Sequence, residues 1–283
     1  MSITGAGKLA GIMGWPVAHS RSPVLHGYWL EQYRIDGAYV PMAVKPENLR
    51  RALQALPALG FAGCNLTIPH KEEALRAVDS LEPSAKRAGG VNTVVIDPRG
   101  QIIGSSTDGY GFIAALRAAA PGFDPSQAPA VVLGAGGAAR AIVAALLDHG
   151  AREVRLVNRT PERAAKLAKE LGGQVRGVLW EKRAEALAGA GLLVNATSLG
   201  MEGLPALDLP LDTLPTEAIV NDIVYVPLET PLLAAACARG NRCVDGLGML
   251  LHQAAPGFEA WFGVKPEIGT GLRQAILATL QKK

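Results

Sequence analysis

Val131-Val-Leu-Gly-Ala-Gly-Gly-Ala-Ala-Arg140 is a short apolar strand that turns on glycine into a run of small helix-forming residues. Gly134, Gly136 and Ala139 stand in G-x-G-x-x-A register. Gly134 permits the tight turn, Gly136 lets a pyrophosphate approach the backbone, and the helix N-terminus supplies N–H groups with a partial positive charge. A tight helix start also uses glycine, so the triplet by itself says little. Here it follows a strand, opens a helix and precedes a second strand at 153–157, and together these features read as a dinucleotide turn.

On the C-terminal side the pattern continues. Strands are expected at 130–133, 153–157, 192–195, 219–223 and 242–244, with helices at 138–149, 161–171 and 230–239. Such alternation gives a parallel sheet with helices on both faces, a Rossmann-type doubly wound α/β domain. Where the second strand ends, an NAD site would place Asp or Glu for the ribose hydroxyls. This chain has Val157-Asn-Arg-Thr-Pro-Glu-Arg163 instead. Asn158 is neutral, Arg159 and Arg163 can pair with a 2′-phosphate and Thr160 can donate to it, so NADP is the expected cofactor. The alternative, a solvated basic helix start, sets cations against the helix dipole unless an anion visits. The third strand ends in Asn195-Ala-Thr-Ser-Leu-Gly-Met201, expected over the nicotinamide side, with Thr197 among the contacts.

On the N-terminal side the first 106 residues have their own strands at 9–13, 38–43, 61–67 and 91–96, and a hairpin turn at Asp97-Pro-Arg-Gly100 leads into 101–104. Helices are expected at 23–33, 46–56 and 70–78, and a helix at 109–120 bridges out. The terminal segment 249–283 is helical and is expected to return to this first unit. The expectation is two α/β domains around a cleft: 1–106 plus 249–283 for substrate binding and catalysis, and 107–248 for NADP.

The 283 residues are 49% hydrophobic and only 19% charged, which suits compact folding and excludes long disordered segments. The net charge of +3 is spread without Lys/Arg blocks, so nucleic acid is excluded as a partner. No export signal and no apolar run approaching the ~20 residues of a membrane span is found, and a cytoplasmic protein is expected. Cys64, Cys237 and Cys243 are an odd number in no metal-ligand spacing, which fits a reducing compartment and no metal. Cys64 lies inside an apolar strand without an activator, so a packing role is expected for it.

Two stretches of the first unit carry more polar groups than structure requires. Cys64-Asn-Leu-Thr-Ile-Pro-His-Lys-Glu-Glu-Ala74 puts Asn65, Thr67, His70 and Lys71 around a strand exit that Pro69 alone could turn. His70 has no orienting partner in the sequence and is read as a packing residue. Gly14-Trp-Pro-Val-Ala-His-Ser-Arg-Ser-Pro-Val-Leu-His26 sets Ser20 and Ser22 before Pro23. Ser22 is expected to cap that helix, with Pro23 in its first position. Ser20 is in excess of that need, and two hydroxyls beside helical N–H groups suit a carboxylate.

The motifs HSRSP, NLTIPHK, GGVNT, STDGYG, GAGGAAR, NRT, NATSLGM, DIVYVPLETPLL and DGLGMLLHQA, in this order, resemble the shikimate dehydrogenase family over nearly the whole chain. The resemblance implies NADP-dependent reduction of 3-dehydroshikimate to shikimate, a step of aromatic amino-acid and chorismate biosynthesis, without a metal. It implies that Ser20 and Ser22 hold the substrate carboxylate, and that Thr67, Asn92 and Gln253 contact the carboxylate or ring hydroxyls. Tyr225 then lies near the carboxylate, and Lys71 and Asp108 form the catalytic pair. The cofactor set it implies is Gly134, Ala135, Gly136, Gly137, Ala138, Asn158, Arg159, Thr160, Arg163, Thr197, Ile223 and Gly246. A homodimer is left open.

Two departures from the family pattern stand out. Ser106 replaces the Asn of Asn-Thr-Asp, and Gly90 replaces the Ala of Ala-Val-Asn-Thr. A relative acting on quinate, an aminated analogue or another cyclic polyol therefore stays open, as does a non-catalytic NADPH-binding regulator, against which Lys71 and Asp108 both speak.

Overall fold

A computed structural model of the protein describes residues 3–280. The chain divides into two compact units, one running to Thr107 and resuming at Leu251, the other covering Asp108–Leu250.

The first unit is built from β1 (Lys8–Gly14), α1 (Ser22–Gln32), β2 (Gly37–Ala43), α2 (Leu49–Ala55), β3 (Phe61–Leu66), β4 (Ser80–Leu81), α3 (Pro83–Ala88), β5 (Thr93–Ile96) and β6 (Ile102–Ser105). Its six strands form one sheet in the order β2-β1-β3-β5-β6-β4. The β1–β2, β1–β3 and β4–β6 pairs are parallel, whereas β3–β5 and β5–β6 are antiparallel.

The second unit holds α4 (Asp108–Ala119), β7 (Ala130–Leu133), α5 (Gly137–Asp148), β8 (Val154–Asn158), α6 (Pro161–Leu171), β9 (Val175–Leu179), β10 (Leu192–Asn195), β11 (Ile219–Asp222), α7 (Pro231–Ala238) and β12 (Arg242–Val244). The chain then forms α8 (Gly246–Phe262), which starts in this unit and ends in the first, and α9 (Thr270–Leu280). The second sheet runs β12-β11-β10-β7-β8-β9, all parallel. Strands β7 and β10 are buried throughout, as strands covered on both faces must be, and their continuous apolar runs follow from that. The strand order reverses between β7 and β10, the place where doubly wound sheets open a crevice at their C-terminal edge.

Gly63 shows how the C-terminal helices fix the first sheet. Its φ is +153°, and a Cβ there would lie 2.0 Å from the Val94 carbonyl oxygen and 2.4 Å from Trp261 Nε1. That space is taken by the Trp261 indole of α8, which donates to the Val94 carbonyl at 2.9 Å. Trp29 Nε1 likewise donates to the Glu267 carbonyl at 3.0 Å, tying α1 to the segment before α9. Gly63→Ala is expected to push apart the β3–β5 ladder and the tryptophan at once, costing about 3 kcal/mol. A urea unfolding series should show a lower midpoint with unchanged slope; an unchanged midpoint contradicts this packing account.

Several expectations are corrected. The helix expected over 70–78 is only a 3₁₀ turn at Glu73–Arg76. The Lys71 carbonyl, which an α-helix would give to Leu75, instead accepts from the Val91 N–H at 2.8 Å. The terminal segment is helical as expected, and it is divided into two helices because Gly263 takes a left-handed φ of +79° and ends the first. Ser22 does not cap α1: it is the first helical residue, and Arg21, at the N-cap, makes no side-chain capping bond. Strands β4 and β9 and helix α3 were not expected at all. Cys237 and Cys243, for which the sequence offered no pairing, are joined as a disulfide with Cα atoms 6.0 Å apart. The turn from α7 back into β12 brings them together. Cys64 is buried and unpaired, its thiol pushed well up by burial, as a packing residue should be.

Candidate active site

In the first unit the polar residues of the strand exits converge. Asn65, on β3, is 4% exposed and donates through Nδ2 to the Asn92 carbonyl at 3.0 Å and to Thr93 Oγ1 at 3.2 Å. Thr93 donates to Asn92 Oδ1 at 2.8 Å, and the Thr107 N–H donates to the same oxygen at 2.9 Å. Asn92 Nδ2 donates to Gln253 Oε1 at 3.3 Å, so the predicted residues Asn92 and Gln253 meet, one before β5 and the other on α8. Thr67 continues from β3, its N–H bound to the Met13 carbonyl at 3.0 Å, and its side chain is half-buried.

Lys71 is half-buried and shares this exit. Its carbonyl is tied to Val91, and a Cβ on Gly90 would rest 3.4 Å from Lys71 Cβ. That is ordinary contact, so glycine in place of the family's alanine leaves the lysine its place. His70 Nε2 lies 2.8 Å from the Val44 carbonyl. A carbonyl only accepts, so that nitrogen carries the proton, and burial holds the imidazole below its usual pKa. His70 is therefore a neutral, anchored packing residue, as expected.

Ser20 and Ser22 are neighbours in a different way from the one expected. The Ser20 hydroxyl accepts from the Ser22 N–H at 3.2 Å, so Ser20, not Ser22, satisfies a backbone donor at the start of α1. Ser22 is buried beneath it, half-buried Ser20 lies nearer the surface, and any carboxylate contact falls first to Ser20. Asp108 opens α4, directly after Thr107, where a carboxylate suits the helix dipole. Tyr225 follows β11 in the second unit and is half-buried.

The cofactor residues of the second unit sit at the C-terminal edge of its sheet. Gly134 has φ +109° and approaches the Ala196 carbonyl so closely that a Cβ would lie 2.9 Å from it. This clamps the exits of β7 and β10 together. Gly136 and Gly137, by contrast, face open space with nothing within 4 Å of a built Cβ. Gly136 is the N-cap of α5 and no side chain satisfies the first-turn N–H groups. Open backbone donors at a helix N-terminus fit a pyrophosphate. Ala135 and Ala138 flank them.

At the end of β8, Asn158 Nδ2 donates to the Thr160 carbonyl at 2.9 Å, which shapes the turn into α6. Thr160 stands at the N-cap of α6 without a capping bond from its hydroxyl. Arg159 and Arg163 are exposed, and among the described residues neither guanidinium has a hydrogen-bond or ion-pair partner. Two unpaired guanidinium groups and an unused hydroxyl at a helix start fit a 2′-phosphate.

Thr197 donates to Asn195 Oδ1 at 2.7 Å. Asn195 Nδ2 donates to Asp222 Oδ1 at 3.0 Å, and Thr230 donates to Asp222 Oδ2 at 2.7 Å. Asp222 is fully buried, and burial raises its pKa against the opposing hydrogen bonds from Thr230, Val224 and Asn195. This network holds the loops after β10 and β11, and sequence reasoning missed it. Its signal was an acidic residue closing an apolar strand, Ile219-Val-Asn-Asp222. Ile223 and Gly246 touch: a Cβ on Gly246 would lie 2.2 Å from the Ile223 carbonyl oxygen, so only glycine fits there.

With this geometry in view, comparison with known proteins is direct. The "Shikimate dehydrogenase substrate binding domain" model matches residues 12–94, "Shikimate / quinate 5-dehydrogenase" matches 117–201, and "Shikimate 5'-dehydrogenase C-terminal domain" matches 246–276. A protein of Paramagnetospirillum magneticum named Shikimate dehydrogenase (NADP(+)) is 59% identical over 98% of this chain and 100% of its own. The chain belongs to the shikimate dehydrogenase family. The family member of Rhodospirillum rubrum, also named Shikimate dehydrogenase (NADP(+)), is 56% identical over 97% of this chain and 99% of its own. The solved shikimate 5-dehydrogenase of Thermus thermophilus, in complex with NADP(H) and shikimate, is 41% identical. It superposes with a TM-score of 0.85 over 96% of this chain and 99% of that one. Among the described residues no helix is long and apolar enough to cross a membrane.

Proposed function

We propose that this member of the shikimate dehydrogenase family catalyses the reversible NADPH-dependent reduction of 3-dehydroshikimate to shikimate. One observation carries the reading: likeness to NADP-dependent shikimate dehydrogenases spans the whole chain, not the cofactor unit alone. NADPH, when bound, supplies the hydride.

The protein's residues supply the rest. As hydride reaches the ketone carbon, negative charge builds on its oxygen, and Lys71 stabilises that charge and donates the proton. Asp108 accepts from a neighbouring ring hydroxyl and orients the lysine. Ser20, Ser22 and Tyr225 hold the carboxylate, while Thr67, Asn92 and Gln253 contact the carboxylate or ring hydroxyls. The open backbone at Gly136 and Gly137 takes the pyrophosphate, Ala135 and Ala138 line its turn, and Asn158, Arg159, Thr160 and Arg163 take the adenosine ribose and its 2′-phosphate. Thr197, Ile223 and Gly246 line the nicotinamide end. The reaction goes with a cytoplasmic enzyme acting on a small molecule.

Mixing the protein with NADPH and 3-dehydroshikimate should consume NADPH absorbance, and no consumption with this ketone sinks the proposal. The cofactor assignment has its own test. Arg159→Ala is expected to raise KM for NADP at least ~10-fold, the worth of one charge-assisted hydrogen bond, and to leave KM for NAD within about twofold. Equal losses with both cofactors would put the 2′-phosphate elsewhere.

A further inference from the structure

The buried side chains behind Asn92 form a row of hydrogen bonds whose direction is fixed by backbone groups. The Thr107 N–H can only donate, so the Asn92 atom 2.9 Å from it is Oδ1. The Asn92 carbonyl can only accept, so the Asn65 atom 3.0 Å from it is Nδ2. Asn65 Oδ1 therefore faces Tyr39, whose hydroxyl donates to it at 2.6 Å. Between the two amides stands Thr93. Its hydroxyl accepts from Asn65 Nδ2 at 3.2 Å and, with its single proton, donates to Asn92 Oδ1 at 2.8 Å.

Asn92 thus has its oxygen held by Thr93 and Thr107, and its Nδ2 donates to Thr107 Oγ1 at 3.1 Å and to Gln253 Oε1 at 3.3 Å. Asn92 and Thr93 are each 2% exposed, so water does not substitute for a lost partner. We propose that Thr93, backed by Asn65 and Tyr39, is a positioning residue that locks the Asn92 amide as a hydrogen-bond donor to the substrate. This rests on the reading of Asn92 as a substrate contact. The chemistry selected at that point is an oxygen acceptor, a ring hydroxyl or a carboxylate oxygen. A ligand offering an ammonium there meets a donor and is refused.

Thr93→Val keeps the shape and removes both hydrogen-bonding roles, whereas Thr93→Ser keeps the hydroxyl. Thr93→Val is expected to raise KM for shikimate about 10-fold, with kcat within about threefold and KM for NADP unchanged. Thr93→Ser should stay within about twofold of wild type in all three. Tyr39→Phe, one bond further back, should raise KM for shikimate about threefold and decides the matter alone if Thr93→Val does not fold. Asn92→Ala, measured beside them, separates the two layers. Wild-type KM in Asn92→Ala removes the substrate role of Asn92 and the proposal with it. Impaired Asn92→Ala beside a wild-type-like Thr93→Val, or equal losses in Thr93→Val and Thr93→Ser, overturns the proposal alone.

Discussion

Lys71→Met should fold, bind NADPH normally and turn over at least ~100-fold more slowly, the lower range for loss of a general acid. An ammonium beside a developing alkoxide acts mainly in the transition state, so turnover falls more than binding. Methionine keeps the stem and removes the charge with its donors. The backbone of Lys71 is held independently of the side chain, because its carbonyl accepts from the Val91 N–H at 2.8 Å. Asp108→Asn should also be severe, and the double variant should lose less free energy than the two singles summed if the residues act as a unit. Near-normal turnover in Lys71→Met with weaker substrate binding would make this lysine a binding residue. His70 could not replace it as it stands, since its Nε2 proton is committed to the Val44 carbonyl.

A second large effect is expected in acid and comes from His26. Its ring is fully buried, stacked on Tyr39 with centroids 3.9 Å apart, and among the described residues neither ring nitrogen has a hydrogen-bond partner. Burial holds its pKa down to about 3, with the nearby Asn65 offsetting part of the effect. In the unfolded chain the same imidazole titrates near 6.5. Between these values the unfolded state binds a proton that the folded state refuses, so stability is full above pH 6.5 and falls as the pH drops toward 3. One proton over the interval from pH 6.5 to pH 5 is worth about 2 kcal/mol. His70 and His252 shift in the same direction, so the contribution must be isolated by difference. His26→Phe keeps a ring against Tyr39 and removes the titration. Wild type should lose about 2 kcal/mol more than His26→Phe between pH 7 and pH 5 in urea unfolding, and parallel losses would contradict a neutral buried His26.

The second unit was legible because its central strands are buried on both faces and so read as apolar runs: β7 and β10 lie where expected. β9 escaped notice because Val175-Arg-Gly-Val-Leu179 is an edge strand, mostly uncovered, with a glycine at its centre. The turn after His70 was read as a helix because its composition is helical; the competing bond from Val91 arrives from twenty residues downstream and leaves no local trace. Likewise Ser22 looked like a cap by its place before Pro23, yet the Arg21 conformation is already helical and the helix starts one residue early. Asn92 and Gln253 were both expected to contact the substrate, and the structure joins them by a hydrogen bond. Asn65 stood out only as a polar excess at the strand exit, and Tyr39 and Thr93 did not stand out at all, because a polar residue inside an apolar strand reads as ordinary until its hydrogen bonds are traced.

The most direct measurement is a matched series of kcat/KM values for oxidation of shikimate and of quinate, each with NADP and with NAD. The account predicts that shikimate with NADP leads every other pairing by at least ~10-fold, the factor one charge-assisted or buried hydrogen bond supplies. Quinate ahead of shikimate, or NAD equal to NADP, would contradict it.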